Sequence, residues 1–228
     1  MRLILLLSAV LFFSVSCQAQ PKNEFGLKVT SDIKQYKQEI KNNPILELVN
    51  LREYEGLFFD IKYATSENFT KEIIYPSAEA FARKQVATNL MRANKTFNER
   101  GLALKIFDAY RPYSATVKFY EIYRDTNYVA SPYIGSRHNR GCAVDITLVD
   151  METGEELPMP TAYDNFTEKA HPNFEDLPAN LIANRDYLIE TMQQFGFKVY
   201  PTEWWHFDFN GWEQFNLLDI KFEDLKEL

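Results

Sequence analysis

Cysteine is nearly absent from the chain. Only Cys17 and Cys142 occur among 228 residues, so no disulfide framework can be built. Basic residues are outnumbered as well: 25 Lys and Arg against 32 Asp and Glu give a net charge of -7, and no surface suited to nucleic-acid phosphates is expected. No internal repeat, Gly/Ser linker or low-complexity tract marks a second domain. What is present is 46% hydrophobic residues in a length that suits one compact core. A small-molecule or peptide partner fits such a chain better than a polyanion.

The long apolar run Leu3–Val15 is too short to span a bilayer comfortably and follows Arg2, which is the pattern of an export signal. Two processing sites compete. Ser14-Val15-Ser16-Cys17 is similar to a bacterial lipobox, and this is the preferred reading, whereas Cys17-Gln18-Ala19 ends in the small residue of ordinary signal cleavage. Residues 1–19 are expected to be a signal peptide and residues 20–228 the mature domain, exported to the periplasm or held at a bacterial envelope membrane by lipid on Cys17. Under either version Cys142 remains a lone thiol.

Further along, 57–61 reads as a short strand and 62–70 as loop. Residues 78–100 read as a helix whose stripe is Val86, Leu90, Ala93 and Phe97, with Gly101 as its stop. Alternation predicts a strand over 102–107 that runs into Asp108-Ala109-Tyr110-Arg111-Pro112. Pro112 opens the next helix and leaves Arg111 at a strand-to-helix junction. Residues 141–149 and 204–209 read as two more strands, with a helix through Leu181, Leu188, Met192 and Phe195 between them. The irregular order favours a single α+β domain with a mainly antiparallel sheet flanked by helices.

Histidine is scarce, and two of the three histidines lie in polar-rich patches: His138 in the segment Ser136–Asp145 and His206 in Glu203–Phe209. On a strand after Gly141, Val144, Ile146 and Leu148 would face the core, leaving Asp145 on the other side. On a straight helix, residues as far apart in sequence as His138 and Asp145 would be separated by roughly 10 Å, so a turn at Asn139–Gly141 has to fold His138 back. Two imidazoles and one carboxylate then suit zinc and leave a fourth position for water. Glu203 is free to act as a base, although its odd spacing from His206 would put the two on opposite faces of an ideal strand. Spacing alone leaves open which of Asp145 and Glu203 ligates. Taken singly, each of these residues reads more readily as a satisfied buried histidine, a capping aspartate or an ordinary polar partner, and Arg111 equally as a surface ion-pair partner of Asp108. Cys142 offers a remote third possibility, a thiol nucleophile.

The segments SRHNRGCAVDITL, DAYRP and EWWH, together with KYATSENFT and METGEELPMP, resemble the VanX-type D-alanyl-D-alanine dipeptidases among the zinc D-Ala-D-Ala peptidases. The resemblance runs in order from about Leu57 to His206. It implies one zinc ion per chain held by His138, Asp145 and His206 on the sheet, Glu203 as general acid/base, and Arg111 facing the reacting carbonyl. It further implies that Asp164 meets the free amino group of a dipeptide and that Ser136 lines the pocket. Cys142 departs from a small residue such as serine. The implied activity is hydrolysis of D-Ala-D-Ala in cell-wall peptide turnover. A D,D-carboxypeptidase or endopeptidase with the same site, and a zinc-stabilised binding domain without turnover, are the competing readings. Asp164 argues against the first and Glu203 with Arg111 against the second.

Overall fold

The computed structural model describes residues 22–228, so the expected signal segment and Cys17 lie outside the described residues. In chain order the elements are β1 (Val29–Thr30), α1 (Ile33–Asn42), β2 (Leu48–Asn50), β3 (Phe58–Phe59), β4 (Phe81–Arg83), α2 (Lys84–Asn98), β5 (Leu102–Asp108), α3 (Tyr113–Ile122), β6 (Ala143–Asp150), α4 (Ala179–Gln194), β7 (Phe197–Tyr200), β8 (Glu203–Phe209), β9 (Leu217–Leu218) and α5 (Phe222–Lys226). The central sheet has the order β3-β5-β6-β8-β7, and two small ribbons, β1-β9 and β2-β4, lie outside it.

The α+β class holds, with one refinement. β5-β6, β6-β8 and β7-β8 are antiparallel, but β3 runs parallel to β5, so the sheet is mixed. A parallel pair needs a crossover connection, and the segment between β3 and β5, which contains α2, supplies it.

The helix expected over 78–100 starts only at Lys84. Phe81, Ala82 and Arg83 are all buried, so their backbone groups must be paired. They pair with β2, and Arg83 also donates its N–H to Gly141 O at 2.9 Å. The predicted stripe is correct: Val86, Leu90, Ala93 and Phe97 have no exposed surface. Full burial of each large side chain stabilises by about 1.5–3 kcal/mol. Buried Asn94 ties α2 to its surroundings, donating to Gly56 O and accepting from Leu104 N–H at 2.8 Å each.

α1 is mostly polar, with only Tyr36 of its ten residues buried, and Asp32 caps it by accepting from Lys34 N–H. Val144, Ile146 and Leu148 of β6 face the core as predicted. The opposite face of β6 is covered too, and of this strand only Asp150 at its end is not buried.

Candidate metal centre and substrate cavity

Three side chains lie in register across neighbouring strands: Asp108 of β5 opposite Asp145 of β6, and Asp145 opposite His206 of β8. Two irregularities shape this row. The β5 pairing passes from Ile106 to Asp108 and leaves Phe107 as a bulge. β8 pairs Phe207 with Val199 but Glu203 with Tyr200, so Trp204, Trp205 and His206 stand against no residue of β7. This arch removes the odd-spacing difficulty, because it brings Glu203 Oε2 to 3.8 Å from His206 Nδ1.

His138 opens a single 3-10 turn, His138–Arg140, which ends at Gly141 with φ 68°. A Cβ on Gly141 would sit 2.4 Å from Leu48 Cδ2 and 3.3 Å from Arg83 N, so space and backbone angle both require glycine there. Asn139, fully buried, fixes the turn by donating to Arg111 O and Thr116 Oγ1 at 3.0 and 2.8 Å and accepting from Ser136 N–H at 2.7 Å. Ser136 Oγ accepts the His138 N–H at 3.2 Å. This is the fold-back that the sequence spacing demanded.

The turn and the row of strands bring three ligand atoms together. His138 Nε2 lies 3.1 Å from His206 Nδ1 and 3.3 Å from Asp145 Oδ1, which is 3.0 Å from His206 Nδ1. Donors about 2.0–2.1 Å from a tetrahedral zinc are spaced about 3.3 Å apart. The remaining ring nitrogens are committed: His138 Nδ1 donates to Ala109 O at 2.6 Å and His206 Nε2 to Asp208 Oδ1 at 2.9 Å. A carbonyl and a carboxylate only accept, so lone pairs point at the common centre. Asp145 Oδ1 is buried there without a hydrogen bond. Three inward-facing acceptors repel one another unless a cation sits among them, so the residues fit a divalent metal. Asp145, closest to both rings, is the carboxylate of the set.

Electrostatics agree. Burial opposes ionisation of Asp145, but His138 and His206 outweigh it and hold the carboxyl well below the ordinary range. Burial likewise opposes the charged His206 ring, while Asp208 and Asp145 push it well above normal.

A cavity of about 280 Å³ opens over this centre, and all seven residues singled out in the sequence line it: Arg111, Ser136, His138, Asp145, Asp164, Glu203 and His206. Pockets for small ligands run from roughly 300 to 1,000 Å³, so this one suits a small substrate. Burial raises Glu203 to about 8, partly offset by His206. Asp164 is raised to about 7, again mainly by burial. Its carboxylate accepts from Tyr63 OH at 3.1 Å and Phe69 N–H at 3.2 Å, and its backbone has φ 58°, strain of the kind that gathers at functional sites.

Arg111 is buried, and its ion pair with Asp108 is internal rather than on the surface. Nε and Nη2 both donate to Asp108 Oδ2, at 2.9 and 2.7 Å, and Nη2 lies 3.7 Å from Asp145 Oδ2. Cys142 is also buried, and desolvation pushes its thiol up to about 12, which removes it as a nucleophile. Sequence reasoning missed Tyr163, whose OH donates to Asp145 Oδ2 at 2.8 Å, and Asp208, the partner of His206. The His-x-Asp spacing on one strand was an available signal for Asp208; nothing local marked Tyr163.

Two histidines and one aspartate with a fourth position left open, beside an unligated buried carboxylate, form the kind of centre on which metal-dependent hydrolases are built. The chain belongs to the D-Ala-D-Ala dipeptidase family, whose model matches residues 45–224. It is 34% identical over 177 residues to a D-alanyl-D-alanine dipeptidase of Escherichia coli, covering 77% of this chain and 91% of that protein. A D-alanyl-D-alanine dipeptidase of Enterococcus faecium is 30% identical over 172 residues, covering 67% of this chain and 85% of the relative. Among solved structures, VanYB in complex with D-alanine-D-alanine aligns with a TM-score of 0.40 at 17% identity, over 60% of this chain and 76% of that one.

Proposed function

We propose that this chain is a zinc-dependent dipeptidase that hydrolyses D-alanyl-D-alanine to two D-alanines. One observation carries the reading: Asp164, a carboxylate fixed by two donors, lines the same small cavity as the three-ligand centre. A carboxylate there attracts a free ammonium and opposes a continuing peptide chain.

Zinc, when bound, supplies Lewis acidity, polarising the scissile carbonyl and acidifying a water toward neutrality. Glu203 takes the proton of the attacking water and returns it to the leaving amine, a task helped by a pKa that burial has brought toward neutral pH. Arg111 faces the oxygen on which negative charge develops, and Asp108 fixes its orientation. A single preorganised donor of this kind contributes about 3–4 kcal/mol. Asp164 holds the substrate ammonium, and Ser136 lines the pocket while supporting the His138 turn. The export signal read in residues 1–19 supports a location in the bacterial envelope, free in the periplasm or lipid-anchored at Cys17, and with it a role in scavenging dipeptide released from the wall.

The test compares free D-Ala-D-Ala, its N-acetyl derivative and a pentapeptide ending in D-Ala-D-Ala on the zinc-loaded protein. Acetylation removes the charge and leaves Asp164 unpaired, so the free dipeptide should lead by roughly a thousandfold, a margin that Asp164→Ala collapses. Equal or faster cleavage of the blocked peptides would make the enzyme a D,D-carboxypeptidase or endopeptidase. No cleavage at all would leave a zinc-stabilised binding domain.

A further inference from the structure

The two histidines of the ligand set come from different parts of the fold. His138 rides on the turn between α3 and β6, and His206 on the arched part of β8, where β6 pairs with it on one side and no residue of β7 stands on the other. Two residues further on, the strand is regular again: Asp208 pairs with Ala143 of β6 and with Lys198 of β7. Asp208 is therefore a fixed point beside the His206 ring, and side chains two apart on a strand share a face. Its Oδ1 accepts from His206 Nε2 at 2.9 Å, while His206 Nδ1 faces His138 and Asp145.

The other oxygen of the same carboxylate meets a cation. Asp208 Oδ2 is 3.6 Å from Nε of Arg137, and Arg137 is the residue immediately before His138. The guanidinium has a seat of its own, 4.8 Å from the Trp212 ring centroid and 5.9 Å from that of Tyr200, whose ring centroid is in turn 5.2 Å from that of His206. Arg137, Tyr200, Asp208 and Trp212 line a second cavity, behind His206 as seen from the ligand set. Charge balance points the same way. Asp145 and Glu203 already approach His206 Nδ1 at 3.0 and 3.8 Å, and Arg111 has two of its nitrogens committed to Asp108. Asp208 adds a third carboxylate around one ring, and among the described residues Arg137 is the one lysine or arginine in an ion pair with it.

We infer that Arg137 is a positioning residue: together with Asp208 it braces the two histidine ligands against each other from behind, joining the turn of His138 to the strand of His206 without touching the ion. This rests on the metal-centre reading above and is independent of which peptide is cleaved. Partners behind a metal ligand change affinity by about 10- to 100-fold. The Arg137 side chain is 37% exposed, so water screens its pair with Asp208. Its own share then falls at the lower end of that range, about 10-fold.

The experiment measures zinc affinity, by competition with a chelating dye, for the parent, Arg137→Gln, Arg137→Lys, Asp208→Ala and the variant combining Arg137→Gln with Asp208→Ala. The Tm of each metal-free protein is read alongside. Arg137→Gln should weaken zinc binding by about 10-fold, and Arg137→Lys, which keeps the charge but not the planar seat on Trp212, by less. Asp208→Ala should weaken it by nearer to about 100-fold, and adding Arg137→Gln should bring no further loss, because the guanidinium acts through that carboxylate. The metal-free Tm of Arg137→Gln should stay within about 3 °C of the parent's. A positive charge that is merely nearby repels the ion, so unchanged or tighter binding in Arg137→Gln overturns the inference and leaves the metal centre standing. So does an equal loss with and without Asp208, or a loss matched by a collapse of the metal-free Tm with no recovery in Arg137→Lys, which is the mark of a structural side chain. A parent that binds no zinc overturns both readings.

Discussion

Tyr163 shows how one hydroxyl can set the geometry of the whole centre. Its OH donates to Asp145 Oδ2 at 2.8 Å, which holds the carboxylate so that Oδ1 faces the two imidazoles. Partners of this kind behind a metal ligand typically change affinity by about 10- to 100-fold. Tyr163→Phe removes the donor and keeps the ring, so zinc affinity measured by competition with a chelating dye should fall within that range while the metal-free protein melts at nearly the same temperature. Unchanged affinity would mean that Asp145 is oriented by its strand alone. The two histidines were legible in the sequence because histidine is scarce and both lie in polar-rich patches, whereas the choice of Asp145 over Glu203 rested on the family resemblance alone. Tyr163 was not legible, because its contact depends on a loop arriving over β6 from eighteen positions downstream.

At the level of elements, the turn that carries His138 depends on Gly141. Gly141→Ala would place a methyl group against Leu48 at a backbone angle that L-residues adopt reluctantly. Strain and overpacking together cost about 2–4 kcal/mol. For a domain of this size that lowers Tm by roughly 5–15 °C, and a scan with and without zinc should show a smaller metal-induced rise than in the parent. A variant with the parent's Tm and zinc response would show that the turn relaxes freely. The long elements were readable from sequence: the stripe of α2, the alternation of β5 and β6, and the Pro112 start of α3. The ribbons and the parallel placement of β3 were not, since their residues pair with partners distant in the chain, and β7, whose partner β8 follows at once, is only four residues long. The arch in β8 lay beyond any period-two reading, and it is what allows Glu203 and His206 to share one cavity.

Across the whole molecule, the site is bought with stability. Glu203 and Asp164, raised by burial to about 8 and about 7, titrate in an unfolded chain near 4.3 and 3.9 or so. Below pH ~4 both states hold these protons and no penalty exists. As pH rises from there, the unfolded chain releases protons that the native state keeps, so the native state loses stability until Glu203 itself ionises near 8. In the metal-free protein, Glu203→Gln should therefore raise Tm at pH 8 and leave it unchanged at pH 4, as followed by melting in the presence of a chelator. The same variant should keep its zinc stoichiometry while losing turnover. A Tm gain confined to low pH would reverse the sign and show that Glu203 is ionised in the bare fold.

The row of Asp108, Asp145 and His206, one residue on each of three neighbouring strands, has a consequence for how the chain matures. Side chains alternate faces along a strand, so a slip of one residue in either pairing would turn a member of the row away from its neighbours. Misaligned sheets could then bury much the same apolar surface and still offer the ion at most two donors. A metal ion bound there would act as an inspector at the end of assembly, retained only by chains whose three strands have zipped in the correct order.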